Sequence, residues 1–199
     1  MNDKPEFFKK NKYIVVENAL SKDAAKIIGN TLLISEANEE MAPDDAQVIG
    51  ASCKYSLSVM EATLLHLHKT VENNTGLDLQ PTYSFTRIYR AGDILVKHTD
   101  RESCEISATI TLNFKANDLW PICVKTVDGE DKEIPLEIGN LMIYRGQEIE
   151  HWREEFKGDL WMQVFVHYVD KNGPNYPEFS FDKRQGKIPG LYSFIMESM

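Results

Sequence analysis

The chain is short of what several functions require. It has no basic excess: 22 Lys and Arg stand against 31 Asp and Glu, a net charge of -9, so it repels a polyanion and no nucleic-acid partner is expected. It has no apolar stretch long enough for a signal peptide or a membrane span. The opening Met1-Asn2-Asp3-Lys4-Pro5 is polar and is followed by Phe7-Phe8-Lys9-Lys10, which makes a soluble, cytoplasmic protein with no membrane partner the expectation. Its three cysteines, Cys53, Cys104 and Cys123, are odd in number and widely spaced. They lack the close pairs of a zinc knot or a redox dithiol and read as reduced thiols. Internal repeats and low-complexity linkers are missing as well, and 199 residues with 42% hydrophobic content suit one domain over 1–199.

What is present divides into a helical first part, 1–80, and a strand-rich second part. After a short apolar strand at Tyr13-Ile14-Val15-Val16, Ser21 caps a helix whose Ala24, Ala25, Ile27, Ile28, Leu32 and Leu33 recur at threes and fours. A polar, acidic loop from Glu36 to Asp45 follows. Ser58-Val59-Met60-Glu61 has the form of a capping box opening a second helix, with Leu64, Leu67 and Val71 on one face and Gly76 as its stop.

From about residue 81 the chain turns to short runs rich in Tyr, Thr, Ile and Val, separated by Gly, Asp and Asn turns. Strands are expected over 82–89, 94–97, 105–113, 120–126, 141–144 and 160–168. This spacing favours a sandwich or barrel over a parallel α/β sheet. The expected fold is mainly β with flanking helices: a jelly-roll core over 81–168, N-terminal helices packed on one sheet, and a tail, 169–199, whose Pro174, Pro177 and Pro189 suggest irregular chain or a lid.

His98-Thr99-Asp100 follows the strand residues Ile94-Leu95-Val96-Lys97 and precedes the turn Arg101-Glu102-Ser103. Residues two apart in extended chain project from one face, about 6 to 7 Å apart at Cα from the strand rise, so one metal ion can bridge His98 and Asp100. By itself the triplet reads more readily as two polar turn residues. The stretch Gly146-Gln147-Glu148-Ile149-Glu150-His151-Trp152 adds the second histidine that a two-histidine, one-carboxylate iron(II) site needs.

As an ordered set, Arg87-Ile88-Tyr89-Arg90-Ala91-Gly92, His98-Thr99-Asp100, Ile110-Thr111-Leu112-Asn113, Ile138-Gly139-Asn140, His151 and Gln163-Val164-Phe165-Val166-His167-Tyr168 resembles the iron(II)- and 2-oxoglutarate-dependent dioxygenases, the prolyl 4-hydroxylase-like branch in particular. The resemblance covers roughly residues 81 to 168. It implies a cupin-like double-stranded β-helix holding the metal ligands His98, Asp100 and His151 at one mouth. It implies Fe(II), O2 and 2-oxoglutarate, with ascorbate as a candidate reductant, and the decarboxylation of 2-oxoglutarate to succinate coupled to hydroxylation of an unactivated C–H. The substrate it suggests is a prolyl residue of a peptide or protein, or a small molecule.

The resemblance also places a Lys or Arg nine or ten residues beyond the distal histidine to bind the far carboxylate of 2-oxoglutarate, and here those positions are Leu160 and Trp161. Strand parity offers substitutes. Tyr83, Phe85, Arg87 and Tyr89 share one face, and Trp161, Gln163, Phe165 and His167 share another, while the aliphatic Met162, Val164 and Val166 suit packing under helices. By family position Tyr89 contacts 2-oxoglutarate, so Arg87 beside it is the favoured basic group and Arg153 the second choice, with Gln163 and His167 pointing inward. The competing reading of Arg87 is an internal ion pair with an acid such as Glu105.

Weaker assignments complete the set. His66 and His68 sit two apart on a helix, on nearly opposite faces, and read as surface or packing residues. Arg101 either meets substrate or pairs with Glu102 or Glu105. Trp152 and Trp161 form a pocket wall or core. Of Glu148, Glu150, Glu154 and Glu155, an acidic edge, one could orient His151 through its second ring nitrogen. Two rival functions stay open: zinc or manganese chemistry on the same jelly-roll, and a non-catalytic binding module.

Overall fold

The computed structural model describes residues 3–44, 46–185 and 188–198; Asp45, the last residue of the expected acidic loop, lies outside them. In chain order the elements are α1 (Lys4–Asn11), β1 (Tyr13–Val16), α2 (Lys22–Ala37), β2 (Ala42–Pro43), β3 (Ser52–Tyr55), α3 (Ser58–Thr75), β4 (Leu79–Tyr89), β5 (Leu95–His98), β6 (Ile106–Lys115), β7 (Ile122–Lys125), β8 (Asp131–Ile134), β9 (Leu141–Arg145), β10 (His151–Arg153), β11 (Leu160–Asp170) and α4 (Ile188–Ser198). A seven-stranded sheet in the order β1-β9-β6-β11-β4-β3-β2 faces a four-stranded sheet in the order β5-β10-β7-β8, and the ladders within both are antiparallel.

The helices form where the sequence caps them. Ser21 accepts from the Ala24 N–H at 3.1 Å to start α2, and Gly76, at φ 72°, ends α3 in the left-handed conformation that a Cβ disfavours. The capping box does not form: α3 begins at Ser58 itself, with Leu57 at the cap position and no side-chain cap bond. Glu61 instead accepts from the backbone and hydroxyl of Ser84, at 2.9 and 2.7 Å, and from Arg184 at 3.0 Å. A carboxylate engaged this way elsewhere is not free to reach back to the cap.

Helices α2 and α3 cover the outer face of the seven-stranded sheet. Leu32, Leu64, Leu67 and Val71 meet Ile110, Leu112, Met162, Val164 and Val166 in one buried cluster, so the aliphatic parity of β11 faces the helices as the sequence predicts. The other parity faces inward. Tyr13, Met142 and Tyr144 of the large sheet pack on Ile122, Val124 and Ile134 of the small one. Tyr89 and Trp161 pack on Leu95, Trp120 and Phe156 at the opposite end.

The six expected strands are present within a few residues of their predicted limits, and the tail differs most. Its helix α4 is one that prolines in the sequence argued against, although Pro189 sits in the first turn, where a missing N–H costs nothing. Ahead of it, Arg184 binds the Ser56 hydroxyl at 2.7 Å and the Thr82 carbonyl at 2.6 Å, which ties the tail to β3 and β4. Among the described residues no helix is long and apolar enough to cross a membrane, and none of the three cysteines forms a disulfide.

Candidate metal centre and cavity

Antiparallel pairing sets His98 at the end of β5 directly opposite His151 at the start of β10. Their rings lie 4.2 Å apart at the centroids. Each donates Nδ1–H to the carbonyl two residues before it, His98 to Val96 at 2.7 Å and His151 to Ile149 at 3.0 Å. That tautomer turns both Nε2 lone pairs toward one point, and the Asp100 Oδ1 oxygen completes it, 3.6 Å from His98 Nε2 and 3.5 Å from His151 Nε2. The ligand atoms of the three residues all fall within 4.8 Å of one another. The partner of His151 Nδ1 is thus a backbone carbonyl, not a member of the acidic run.

The second Asp100 oxygen is held separately. Oδ2 accepts from the Ser107 hydroxyl at 2.6 Å, and Ser107 Oγ lies 2.9 Å from His167 Nδ1. Gly146 packs against both: a Cβ there would collide with Asp100 Oδ2 and the Cys104 carbonyl, and would lie 2.8 Å from Ser107 Oγ. The glycine is needed for this close approach, and its carbonyl accepts the Asp100 N–H at 2.8 Å. Burial alone would raise the Asp100 carboxyl, but its contacts with His151 and His98 outweigh that and hold it well below the usual carboxylate range. Burial pushes His167 down to about 4, so it is neutral at physiological pH.

These groups open on a cavity of about 300 Å³, lined by His98, Asp100 and His151 on one side and by Tyr83, Phe85, Arg87, Tyr144, Phe165 and His167 on others. Arg87, 3% exposed, donates to the Asp44 carboxylate, to Gln47 Oε1 at 3.2 Å and to the Tyr89 hydroxyl at 3.1 Å. Its Nε–H has no partner among the described residues. Burial opposes the charge on Arg87, yet Tyr89 and Asp44 outweigh it and raise its pKa. The ion pair expected with Glu105 is therefore made with Asp44; Glu105 instead accepts from Asp170 N at 3.2 Å and Asn175 Nδ2 at 3.0 Å.

Of the other expected cosubstrate residues, His167 lines the cavity and Tyr89, Gln163 and Arg153 do not. Tyr89 is fully buried behind Arg87. Gln163 donates to Thr109 Oγ1 at 2.6 Å and accepts from Trp161 Nε1 at 2.8 Å and Thr111 Oγ1 at 3.3 Å, and it does not line the cavity. Arg153 is sealed between Trp120 and Trp161, its guanidinium 4.7 and 5.4 Å from their rings. It donates to the Trp120 carbonyl, its Nε has no partner among the described residues, and burial lowers its pKa to about 10. Trp161 is core; Trp152 stacks under the Lys97 ammonium, 3.6 Å away.

At the mouth, Arg101 forms a two-bond ion pair with Asp182 of the tail, at 2.8 and 2.9 Å, not with Glu102 or Glu105. Asp182 also accepts from Tyr55 at 2.6 Å and Ser103 at 2.6 Å. Tyr55 stacks on Tyr83 at 4.8 Å. His68 is a packing residue, stacked 5.5 Å from Tyr168 and bonded to the Leu79 carbonyl at 2.9 Å, and His66 is exposed.

Sequence reading missed Asp44, Gln47, Ser107 and Tyr144. The last lies 3.5 Å from His151 Nε2, with its phenol kept protonated by burial and by the Asp100 charge. Its only sequence signal is a polar-tipped aromatic on the inward parity of a barrel strand. A second group, Asp100, Cys104 and His167, also lies within 4.8 Å. It shares Asp100, and its atoms already have partners, Ser107 for Asp100 and His167 and the Tyr83 hydroxyl, 3.0 Å away, for the Cys104 sulfur.

No protein-family model matches the sequence, and no curated protein does. Solved structures do match in fold. A prolyl-4-hydroxylase from Pseudomonas putida superposes with a TM-score of 0.67 over 83% of this chain and 96% of its own, at 16% identity. A prolyl hydroxylase from Trichoplax adhaerens, in complex with a peptide of hypoxia inducible factor, gives 0.72 over 85% and 89%, at 10% identity. The epimerase SnoN of nogalamycin biosynthesis, in complex with Fe3+ and alpha ketoglutarate, gives 0.71 over 90% and 88%, at 12% identity. The fold of this chain is the double-stranded β-helix of the 2-oxoglutarate-dependent oxygenases, prolyl 4-hydroxylases among them.

Proposed function

We propose that this chain, built on the fold of the 2-oxoglutarate-dependent oxygenases, is an Fe(II)- and 2-oxoglutarate-dependent hydroxylase acting on an unactivated C–H, with a prolyl residue in a peptide or protein as its substrate. The observation that carries the reading is the donor set: two imidazole Nε2 atoms and one carboxylate oxygen converge at the mouth of the barrel, each histidine fixed by a backbone carbonyl. This set suits Fe(II), with the face toward the cavity left for ligands. Bound there with O2 and 2-oxoglutarate, the iron would supply the oxidising chemistry.

The chain's own part is to bind, orient and exclude water. His98, Asp100 and His151 would hold the metal. The Arg87 Nε–H, buried at the cavity wall and without a partner among the described residues, suits the far carboxylate of 2-oxoglutarate, and Tyr89, Asp44 and Gln47 hold that guanidinium in place. The protonated Tyr144 hydroxyl is a second donor for the cosubstrate. Phe85 and Phe165 keep that end dry. Tyr83, stacked on Tyr55 at the mouth, offers an aromatic face of the kind on which a proline ring packs. Two prolyl hydroxylases among the fold relatives support this choice of substrate.

The test is anaerobic Fe(II) titration followed by 2-oxoglutarate, then succinate release screened over proline-rich peptides, free amino acids and nucleotides. The expected results are a weak visible charge-transfer band and succinate production stimulated by the peptides, both lost in His98→Ala. No band and no succinate would overturn the class; stimulation by small molecules alone would overturn the peptide substrate. One observation favours a second reading, a metal-binding module without turnover: Leu160 and Trp161 stand where a free cation is expected, and Arg87 is already paired with Asp44. Metal binding with no 2-oxoglutarate affinity in the same titration would select it.

A further inference from the structure

His167 and Ser107 are direct partners in the β6–β11 ladder, and both turn inward beside Asp100. The hydrogen bonds among them can run in one direction only. A carboxylate oxygen has no proton to give, so the 2.6 Å contact uses the single Ser107 hydroxyl proton, whose other acceptor within reach, the Cys104 carbonyl, lies farther off at 3.2 Å. With that proton spent, Ser107 Oγ can only accept from His167, so Nδ1 of His167 carries the hydrogen across the 2.9 Å contact. The order is His167 Nδ1–H to Ser107 Oγ–H to Asp100 Oδ2. The Tyr83 ring, 4.6 Å away, packs against the imidazole, and Gly146 leaves the room that brings Asp100 and Ser107 this close.

We infer that His167 and Ser107 are positioning residues for the metal ligand Asp100: the relay holds Oδ2 away from the metal, so that Asp100 coordinates through Oδ1 alone and a coordination position stays open. This rests on the metal site of the proposed function. A carboxylate with a free second oxygen can rotate and chelate through both, which would occupy a position that cosubstrate or O2 needs; a fixed donor on Oδ2 prevents it. The inference also gives His167, one of the expected cosubstrate residues, a different task. It acts through Ser107 and need not touch 2-oxoglutarate.

The experiment uses Co(II) as the probe, read by its d–d absorption and by competitive titration, on the whole chain. Ser107→Ala and His167→Leu are expected to weaken Co(II) binding by roughly 10- to 100-fold, the usual scale for outer partners of metal ligands, and to shift the d–d spectrum toward higher coordination. Ser107→Thr restores the hydroxyl, and His167→Asn restores an N–H close to the Nδ1 position, so both should recover affinity and spectrum; His167→Gln, whose amide reaches the Nε2 position, should not. A purely structural role would move the melting temperature of these variants without this pattern of rescue. Unchanged Co(II) affinity and spectrum in Ser107→Ala, with binding still abolished in His98→Ala, would overturn the relay and leave the metal site standing. Binding retained in His98→Ala would remove the metal site and the relay together. An intense near-ultraviolet thiolate band, lost in Cys104→Ser, would put the metal on Asp100, Cys104 and His167 and would also overturn the relay.

Discussion

Arg87, on the interior strand β4, spends its charge on Asp44, which lies 43 positions earlier in the sequence and just beyond the two-residue edge strand β2. Asp44 is held for the purpose. Its Oδ1 accepts from the Ala46 N–H at 3.0 Å, its backbone closes a loop onto Ala51 at 2.7 Å, and Val48 of that loop is packed among Tyr89, Trp120 and Trp161.

Removing the carboxylate leaves a buried guanidinium without its anion, so Asp44→Ala should lose about 3 kcal/mol or more in urea denaturation. The same variant should gain a larger rise in melting temperature from 2-oxoglutarate than the parent does, because an incoming carboxylate then meets an unneutralised Arg87. An equal rise in both proteins would remove Arg87 from the cosubstrate site.

Arg153 gives the contrasting case. It is a buried cation with aromatic neighbours and a single carbonyl acceptor among its described hydrogen bonds, and its lowered pKa records the cost of that burial. Replacement by a length-matched apolar chain is often neutral or favourable in such a setting. Arg153→Met should stay within about 1 kcal/mol of the parent and keep its affinity for 2-oxoglutarate, whereas Arg153→Ala should lose about 3 kcal/mol through the cavity it leaves. Arg87→Met should abolish the affinity. Calorimetric titration of the two Met variants decides between the two arginines.

Gly146→Ala should be selective in its damage. The new methyl group meets Asp100 Oδ2 and the Cys104 carbonyl, and since the carboxylate is the more movable of the two, Asp100 turns away from His98 and His151. Metal affinity should fall by at least about 10-fold, the scale seen when support of a ligand is lost, with far-ultraviolet circular dichroism unchanged.

Acid should destabilise the metal-free protein over a defined window. The native pKa of His167 lies near 4 and its unfolded value near 6.5, so between these the unfolded chain binds a proton that the native one does not. The contribution is complete above pH 6.5, is lost as pH falls toward 4, and amounts to on the order of 3 kcal/mol. Burial lowers His68 in the same direction. The melting temperature should drop across this window and less steeply in His167→Asn; a flat profile in the parent would contradict the neutral, buried imidazole.

The strands that carry the site were legible because their alternation is strong. Tyr83, Phe85, Arg87 and Tyr89 against Thr82, Ser84, Thr86 and Ile88 fixes which set faces inward, and β11 repeats the pattern. Strand β8 was missed because Asp131, Lys132 and Glu133 are charged; as an edge strand, it can leave three charged side chains in water. Strand β10 was missed for its three residues, and α1 because Pro5 and three lysines make the opening residues read as polar chain, although Pro occupies the first turn and Phe8 is buried. In the site, convergence of His98, Asp100 and His151 could be expected from the family resemblance of the ordered motifs. Asp44 and Ser107 could not, because which acid meets Arg87 and which hydroxyl meets Asp100 depends on sheet register and loop path, and a local pattern carries neither.

The cross-strand position of His98 and His151 has a mechanical side. Strand β5 is four residues long and lies at the edge of its sheet, with β10 as its neighbour. An ion gripped by both imidazoles would rivet the two strands at one rung and forbid a slip of register, since a shift of a single residue turns His98 outward. Loading the metal should therefore slow amide exchange along Leu95 to His98 more than anywhere in the seven-stranded sheet, which would make the ion a structural fastener of the cavity wall.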